Sequence, residues 1–245
     1  MILKRTFDIL ASSLGLLLFS PLLLLIMAAI WLQDRQSPFY IAPRASHRGG
    51  VFRMVKFRSM VVNADRIGGS STAATDRRIT PVGSFVRAYK IDEIVQLWNV
   101  LIGDMSLTGP RPQALPDASL YTNEENRMLT VRPGITDLAS IVFSDEGEIL
   151  RGSPDPDLLY NQIIRPWKSR LALLYVDNRT FPIDLLIICL TALAIVSRKR
   201  ALQGVQRILL AWGADQLICD VAMRNKPLTP YPPPGASEVA AWHRT

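Results

Sequence analysis

The side chains best suited to chemistry gather around residue 92. Asp92 and Glu93 stand side by side in the run Arg87-Ala88-Tyr89-Lys90-Ile91-Asp92-Glu93-Ile94-Val95-Gln96-Leu97-Trp98, two carboxylates among cations. Adjacent carboxylates at the start of an amphipathic helix have an ordinary use, complementing the positive end of the helix dipole. The neighbouring sequence raises a second use. In Gly109-Pro110-Arg111-Pro112 the arginine lies between two prolines. Proline fixes its own φ and confines the residue before it to extended conformations, so Arg111 can be aimed at a bidentate anion with little entropy left to lose. Arg132, just before Pro133-Gly134, repeats the arrangement more weakly. Lys56 and Arg58 flank Phe57, which on a strand puts both cations on one face. A structural turn with a surface arginine and an edge strand with solvated charges are the plain alternatives. Taken together, two carboxylates and several restrained cations describe a phosphoryl-transfer site that needs a divalent ion, at the level of chemical class only.

Composition narrows the partners. The net charge of +7 suits an anionic one, whether phospholipid headgroups, a phosphorylated substrate or nucleic acid. Nucleic acid is set aside, because the basic residues are scattered and no finger, RNP or basic-zipper pattern occurs. The two cysteines, Cys189 and Cys219, lie in apolar stretches and read as buried small hydrophobes in a reducing compartment. The two histidines, His47 and His243, have no second donor at metal-ligand spacing, so any metal would be a hard ion held by oxygens.

The elements that must position these residues begin with an apolar run over 9–32, long enough to span a bilayer, since ~20 residues suffice. Ser20-Pro21 falls at its middle, where a proline removes a backbone donor and invites a kink. Basic residues flank both ends, Lys4 and Arg5 before it and Arg35, Arg44 and Arg48 after it. Both flanks therefore look cytoplasmic, which a re-entrant helix satisfies and a spanning one does not. From the residues alone, the spanning and re-entrant readings are nearly balanced. A small hairpin is predicted from 39–42 and 51–57, a polar loop over 63–80, and a helix building from Pro81 to a stop at Gly103. Pro133-Gly134 reads as a type II turn. A helix over 157–176 is interrupted at Pro166. The segment 181–196 is too short to span, carries Asp184 and ends in Arg198-Lys199-Arg200, the profile of an interfacial helix, with a buried core helix as the alternative. A further amphipathic helix is expected over 203–223, followed by a proline-rich tail whose composition favours disorder.

The segments KRTFDIL, FSPLLLL, VKFRSM, IDEIVQLWNVLIGDMSLTGPRP and VRPGIT resemble the bacterial monotopic phosphoglycosyl transferases, the initiating sugar transferases, over about 3–199. The resemblance implies an α+β catalytic domain with a re-entrant N-terminal membrane helix broken at Ser20-Pro21 and with interfacial amphipathic helices. It divides the chain into the membrane helix (1–36), the catalytic domain (37–200) and a C-terminal helix and tail (201–245) that it does not reach. It implies transfer of a sugar phosphate from a UDP-sugar to a polyprenol phosphate such as undecaprenyl phosphate, releasing UMP and initiating a surface glycan. In that scheme Asp92 is a covalent nucleophile, and Glu93 binds Mg2+ or assists with protons and charge. Lys56, Arg58, Arg87, Arg111 and Arg132 become substrate contacts, and Asp184 a structural or site residue. The location implied is the cytoplasmic face of the bacterial inner membrane, in contact with its lipid. Whether the chain is a homo-oligomer stays open.

This chain departs from the pattern in places. After the PGIT turn it has Asp137-Leu138-Ala139-Ser140 where many members have Gly-Trp-Ala-Gln, and Ala172 stands where an acidic residue is common. The multi-helix block of larger members is not in this sequence, so the compact form is the expectation. Two other classes compete: a catalytically silent scaffold for glycan assembly, and a glycosyltransferase that moves sugar without phosphate and so releases UDP rather than UMP. The intact Asp92, Glu93 and Arg111 speak against the first.

Overall fold

The computed structural model describes residues 2–69 and 71–241; His243 lies outside them. Leucine, isoleucine, alanine and methionine are able helix formers when they run together, and Ile2–Asp34 forms one helix, α1, with Pro21 inside it. Pro21 cannot donate to the carbonyl of Leu17. The Ser20 hydroxyl donates to that carbonyl instead, at 2.8 Å, a repair suited to an apolar segment where no water is at hand. The ladder is interrupted at Ser20-Pro21, but the segment stays helical across it.

One face of α1 packs on the rest of the chain. Asp8, Ser12, Ile26 and Ile30 are buried, while Leu3, Leu10, Leu17, Leu24 and Trp31, seven apart, stand exposed along the opposite face. Both ends touch the body. Near the start, Arg5 donates to the carbonyls of Val100 (2.5 Å) and Leu101 (2.8 Å), and Leu107 N–H donates to Asp8 at 3.1 Å. Near the finish, Ile26 and Ile30 join Phe57, Val86, Ile91 and Val95 in one apolar cluster.

The predicted hairpin forms, with β1 (Phe39–Ala45) longer than expected and β2 (Val51–Phe57) as expected, antiparallel with Tyr40 opposite Lys56. The predicted single helix after Pro81 does not. It divides into α2 (Pro81–Ala88), a 3-10 segment (Ile91–Gln96) and α3 (Leu97–Ile102). Lys90 sits between them in the left-handed region, φ 53°, which no helix accommodates. Gly103 ends α3 at φ 98°, as the sequence suggests.

Two three-residue strands, β3 (Ser106–Thr108) and β4 (Gly134–Thr136), pair in parallel. The type II turn expected at Pro133-Gly134 is absent, because Gly134 lies outside the positive-φ region that such a turn requires. Its lack of a side chain serves a close approach instead. A Cβ on Gly134 would lie 2.1 Å from the Gly109 nitrogen, and one on Gly109 would lie 2.5 Å from the Arg132 carbonyl oxygen.

The remaining elements are helical: α4 (Leu115–Ala118), α5 (Leu138–Val142), α6 (Glu146–Ile149), α7 (Pro156–Leu159), α8 (Arg165–Asn178), α9 (Phe181–Val196), α10 (Arg198–Ala211) and α11 (Gln216–Met223). A π-turn at Tyr160–Ile164 makes the expected interruption ahead of Pro166. The helix expected over 203–223 is two, separated by Gly213 at φ 68°. Helices α5, α8, α9, α10 and α11 share the largest core cluster, around Leu138, Leu171, Ile187, Leu209 and Cys219. Cys189 does not join it and is exposed on α9, contrary to expectation.

The proline-rich segment is ordered against the body. Tyr231 stacks on Trp167 with ring centroids 4.5 Å apart. Its N–H donates to the Gln162 carbonyl, and Arg170 donates to the Pro232 carbonyl at 2.9 Å. Proline composition predicts disorder only where nothing apolar is on offer to pack against; here Trp167 of α8 is.

Candidate active site

The short elements around residue 92 converge. Asn99, fully buried in α3, accepts from Val55 N–H (2.9 Å) and donates to the Arg53 carbonyl (2.8 Å), so its amide closes the free edge of β2 like a strand. This holds Lys56, on β2, against the 3-10 segment that carries the dyad. The left-handed Lys90 resets the chain direction, and Asp92 comes out buried, with Lys56 Nζ 3.9 Å from its Oδ2. The Gly109-Pro110-Arg111 turn, braced by Gly134, directs Arg111 onto Glu93 as a salt bridge. The second arm of the guanidinium donates to the Ile135 carbonyl at 3.2 Å.

The two neighbouring carboxyls are driven apart. Burial opposes the charge on Glu93, but Arg111, Lys56 and Lys90 outweigh it and pull that carboxyl down to about 2. Burial also pushes the Asp92 carboxyl up, and there the opposing pull of Lys56 does not overcome it. Burial, with Arg111 nearby, brings the Lys56 ammonium down to about 8. Arg111 is held charged by Glu93. Adjacent residues whose acidities diverge in this way divide the work of a site between them. Glu93 is a fixed anion committed to Arg111, and Asp92 is a buried carboxyl held by a longer contact to Lys56.

Of the residues singled out in the sequence, Lys56, Arg87, Asp92, Glu93 and Arg111 act on one another; Arg87, in the last turn of α2, is among the cations acting on Asp92. Arg58 is occupied elsewhere. It is buried, binds Asp34 through both arms (2.5 and 2.6 Å) and donates to the Ser37 carbonyl, pinning the end of α1 to the end of β2. Arg132 flanks the Gly109 turn, and its Nε is buried with no hydrogen-bond partner among the described residues. Asp184 is buried in α9 and accepts from Tyr175 Oη and Lys4 Nζ, both at 2.6 Å. Asp137 caps α5 by accepting from Ser140 N–H, and Ala172 packs in an apolar cluster with Met128 and Leu173. Both departures therefore have local structural uses.

The residues fit a magnesium ion of the kind that takes one or two protein carboxylates and completes its shell with substrate phosphates and water. Glu93 is ionised and Asp92 adjoins it. No group of three or more acidic, histidine or cysteine ligands occurs among the described residues.

Residues 1–198 match the family described as bacterial sugar transferase. The chain belongs to the bacterial sugar transferases. Among its relatives in that family is the exopolysaccharide production protein ExoY of Rhizobium meliloti, 39% identical over 56% of this chain and 68% of that protein. The sugar transferase EpsL of Bacillus subtilis is 36% identical over 84% of this chain and 92% of that one. The undecaprenyl-phosphate galactose phosphotransferase of Salmonella typhimurium is 32% identical over 81% of this chain but 41% of its own length. Lys4 and Arg5 of this sugar transferase read in the sequence as flanking charges, and Asp8 was not singled out, yet all three dock α1 onto the catalytic body. Their signal was present: polar side chains at helical spacing on one face of an otherwise apolar segment. Lys90 and Asp34 left no comparable signal, since a backbone reversal and a remote ion pair decide their roles.

Proposed function

We propose that this sugar transferase moves a sugar phosphate from a UDP-sugar to a polyprenol phosphate, undecaprenyl phosphate by analogy with the relatives so named, through a covalent intermediate on Asp92. A carboxylate oxygen of Asp92 attacks the sugar-bearing phosphorus and the bond to the bridging oxygen breaks, expelling UMP. An oxygen of the acceptor phosphate then attacks the same phosphorus, and the aspartyl bond breaks to restore Asp92. Dividing the transfer lets a water-soluble donor and a lipid acceptor use one site in turn. Arg111, Lys56 and Arg87 meet the charge of the diphosphate, and Glu93 keeps Arg111 oriented. Magnesium, held by Glu93 with the substrate's phosphates, would supply further neutralisation of that charge. The observation that carries this reading is the divergence of the adjacent carboxyls, with Glu93 fixed as an anion and Asp92 left available.

The setting proposed is the cytoplasmic face of the inner membrane, with α1 entered into one leaflet and both its ends on the same side. Lys4 and Asp34, at opposite ends of α1, each bind the same catalytic body. A helix crossing the bilayer would carry one of them away from its partner. The exposed leucine face of α1 gives the segment its contact with acyl chains.

The test offers a panel of UDP-sugars with undecaprenyl phosphate and magnesium and identifies the released nucleotide. UMP is expected. UDP would mean glycosyl transfer, and no nucleotide from any donor would leave the scaffold reading.

A further inference from the structure

A groove of about 670 Å³ runs along α9 and α10, within the ~300–1,000 Å³ of typical small-molecule sites. Its α9 wall is apolar, formed by Leu186, Leu190 and Leu193, and its α10 wall carries Arg200 and Arg207. The two arginines are seven residues apart, two turns along one helix face and ~10 Å along its axis. Neither has a hydrogen-bond or ion-pair partner among the described residues, whereas Arg198, just before them, is spent on Asp145. Beside the groove, α9 ends in Ile195 and Val196, 87% and 86% exposed. An apolar helix end turned wholly outward and followed at once by Arg198-Lys199-Arg200 is placed as a segment at the boundary of acyl chains and headgroups would be.

We propose that this groove holds one anionic membrane phospholipid, with an acyl chain along the α9 wall and the headgroup phosphate on Arg200 and Arg207. The proposal rests on the reading of this chain as a membrane-surface enzyme. Charge complementarity selects an anionic phospholipid, because two unpartnered guanidiniums beside an apolar wall suit a phosphodiester without a compensating ammonium. The acceptor lipid is a poorer fit. Its phosphate must reach Asp92, and neither arginine is among the charges that act most on Asp92 or Glu93. All of α10 but its first residue lies beyond residue 198, where the match to the family ends, so the cationic wall of the groove stands outside that match while the apolar wall on α9 stands within it.

The purified full chain in dodecyl maltoside is offered phosphatidylglycerol or phosphatidylcholine of equal chain length, and retained lipid is counted by native mass spectrometry. One phosphatidylglycerol should be retained in preference to phosphatidylcholine. Arg200→Gln with Arg207→Gln should weaken that retention by roughly tenfold or more. Leu186→Trp, which fills the rim of the groove, should weaken it too, and Arg151→Gln, on an exposed turn, should leave it unchanged. Equal retention of the two lipids, or undiminished retention by the double variant, overturns the proposal. Displacement of phosphatidylglycerol by equimolar undecaprenyl phosphate also overturns it, since the groove would then serve the acceptor. Flotation of the wild-type chain on mixed vesicles checks the membrane reading separately: a chain that does not float refutes both readings, and one that floats without selective retention refutes the groove alone.

Discussion

Lys4 and Asp184 stand 180 positions apart in the chain, and their side chains meet at 2.6 Å. Lys4 Nζ also donates to the carbonyl (3.1 Å) and hydroxyl (2.7 Å) of Thr108, and Asp184 accepts from Tyr175. One polar knot thus joins the start of the membrane helix, the strand ahead of Arg111 and the base of α9. Thr108 is three residues from Arg111, so the placement of α1 is coupled mechanically to the turn that aims the guanidinium at Glu93.

Lys4→Met should break that knot. Removing one partner strands a buried carboxylate, a loss of ~3–5 kcal/mol in a fully enclosed pair, and less here because Lys4 is partly exposed. A fall of several degrees in the thermal midpoint in detergent is expected, with Lys4→Arg restoring most of it. An unchanged midpoint in Lys4→Met would remove the coupling.

Asp92→Asn should abolish turnover, because an amide cannot form the acyl phosphate, while the exposed Asp65→Asn stays active. Intact-mass measurement after mixing with donor alone should find a phosphosugar adduct on the wild type and none on Asp92→Asn. Substantial turnover by folded Asp92→Asn protein would sink the nucleophile assignment.

Arg111→Lys keeps the charge but loses the fork that reaches Glu93 and the Ile135 carbonyl together. A drop of roughly 100-fold or more in kcat/KM is expected, the range seen when one preorganised donor is lost. Glu93→Gln should raise the magnesium concentration needed for half-maximal rate, and excess chelator should stop the wild type. A chelator-insensitive rate refutes the metal requirement.

Burial, with Arg111 nearby, brings the Lys56 ammonium down to about 8. Below that it is an ammonium facing Asp92 and, in the proposed reaction, the donor's phosphates. As pH rises through 8 the proton leaves, the cation is lost and kcat/KM should fall, since that parameter reports the free enzyme. In Lys56→Arg the guanidinium does not titrate there, so the alkaline limb should vanish or move well above 8. A limb that persists at 8 in the variant belongs to another group.

Cysteines placed at Thr6 and Gln36, in a chain lacking Cys189 and Cys219, report on which side of the membrane each end of α1 lies. Both should resist an impermeant thiol reagent until the inner membrane is opened; labelling of one alone in intact inner membranes means that α1 spans. Ser20→Ala leaves the Leu17 carbonyl without its donor inside an apolar helix, at a cost of ~1–3 kcal/mol, and should lower the yield of membrane-associated protein.

The sequence by itself marked out most of the residues that gather around Asp92 and most of the local elements. Asp92-Glu93, the proline-bound Arg111 and Lys56 were visible because their types and immediate neighbours restrict what they can do. The hairpin and α9 were visible because hydrophobic period and turn residues are local properties. Tertiary structure decided everything that depends on contacts distant in sequence. A continuous helical pattern could not reveal the reversal at Lys90, because the packing of Phe57, Val86 and Val95 against α1 outweighs local propensity there. Gly134 resembled a turn residue because its backbone freedom is read locally, whereas its use is room for Gly109. Arg58 and Asp34 are 24 residues apart and Lys4 and Asp184 are 180. A charge in sequence carries no mark of its partner, so only the folded chain separates the cations that serve Asp92 from those that hold α1 in place.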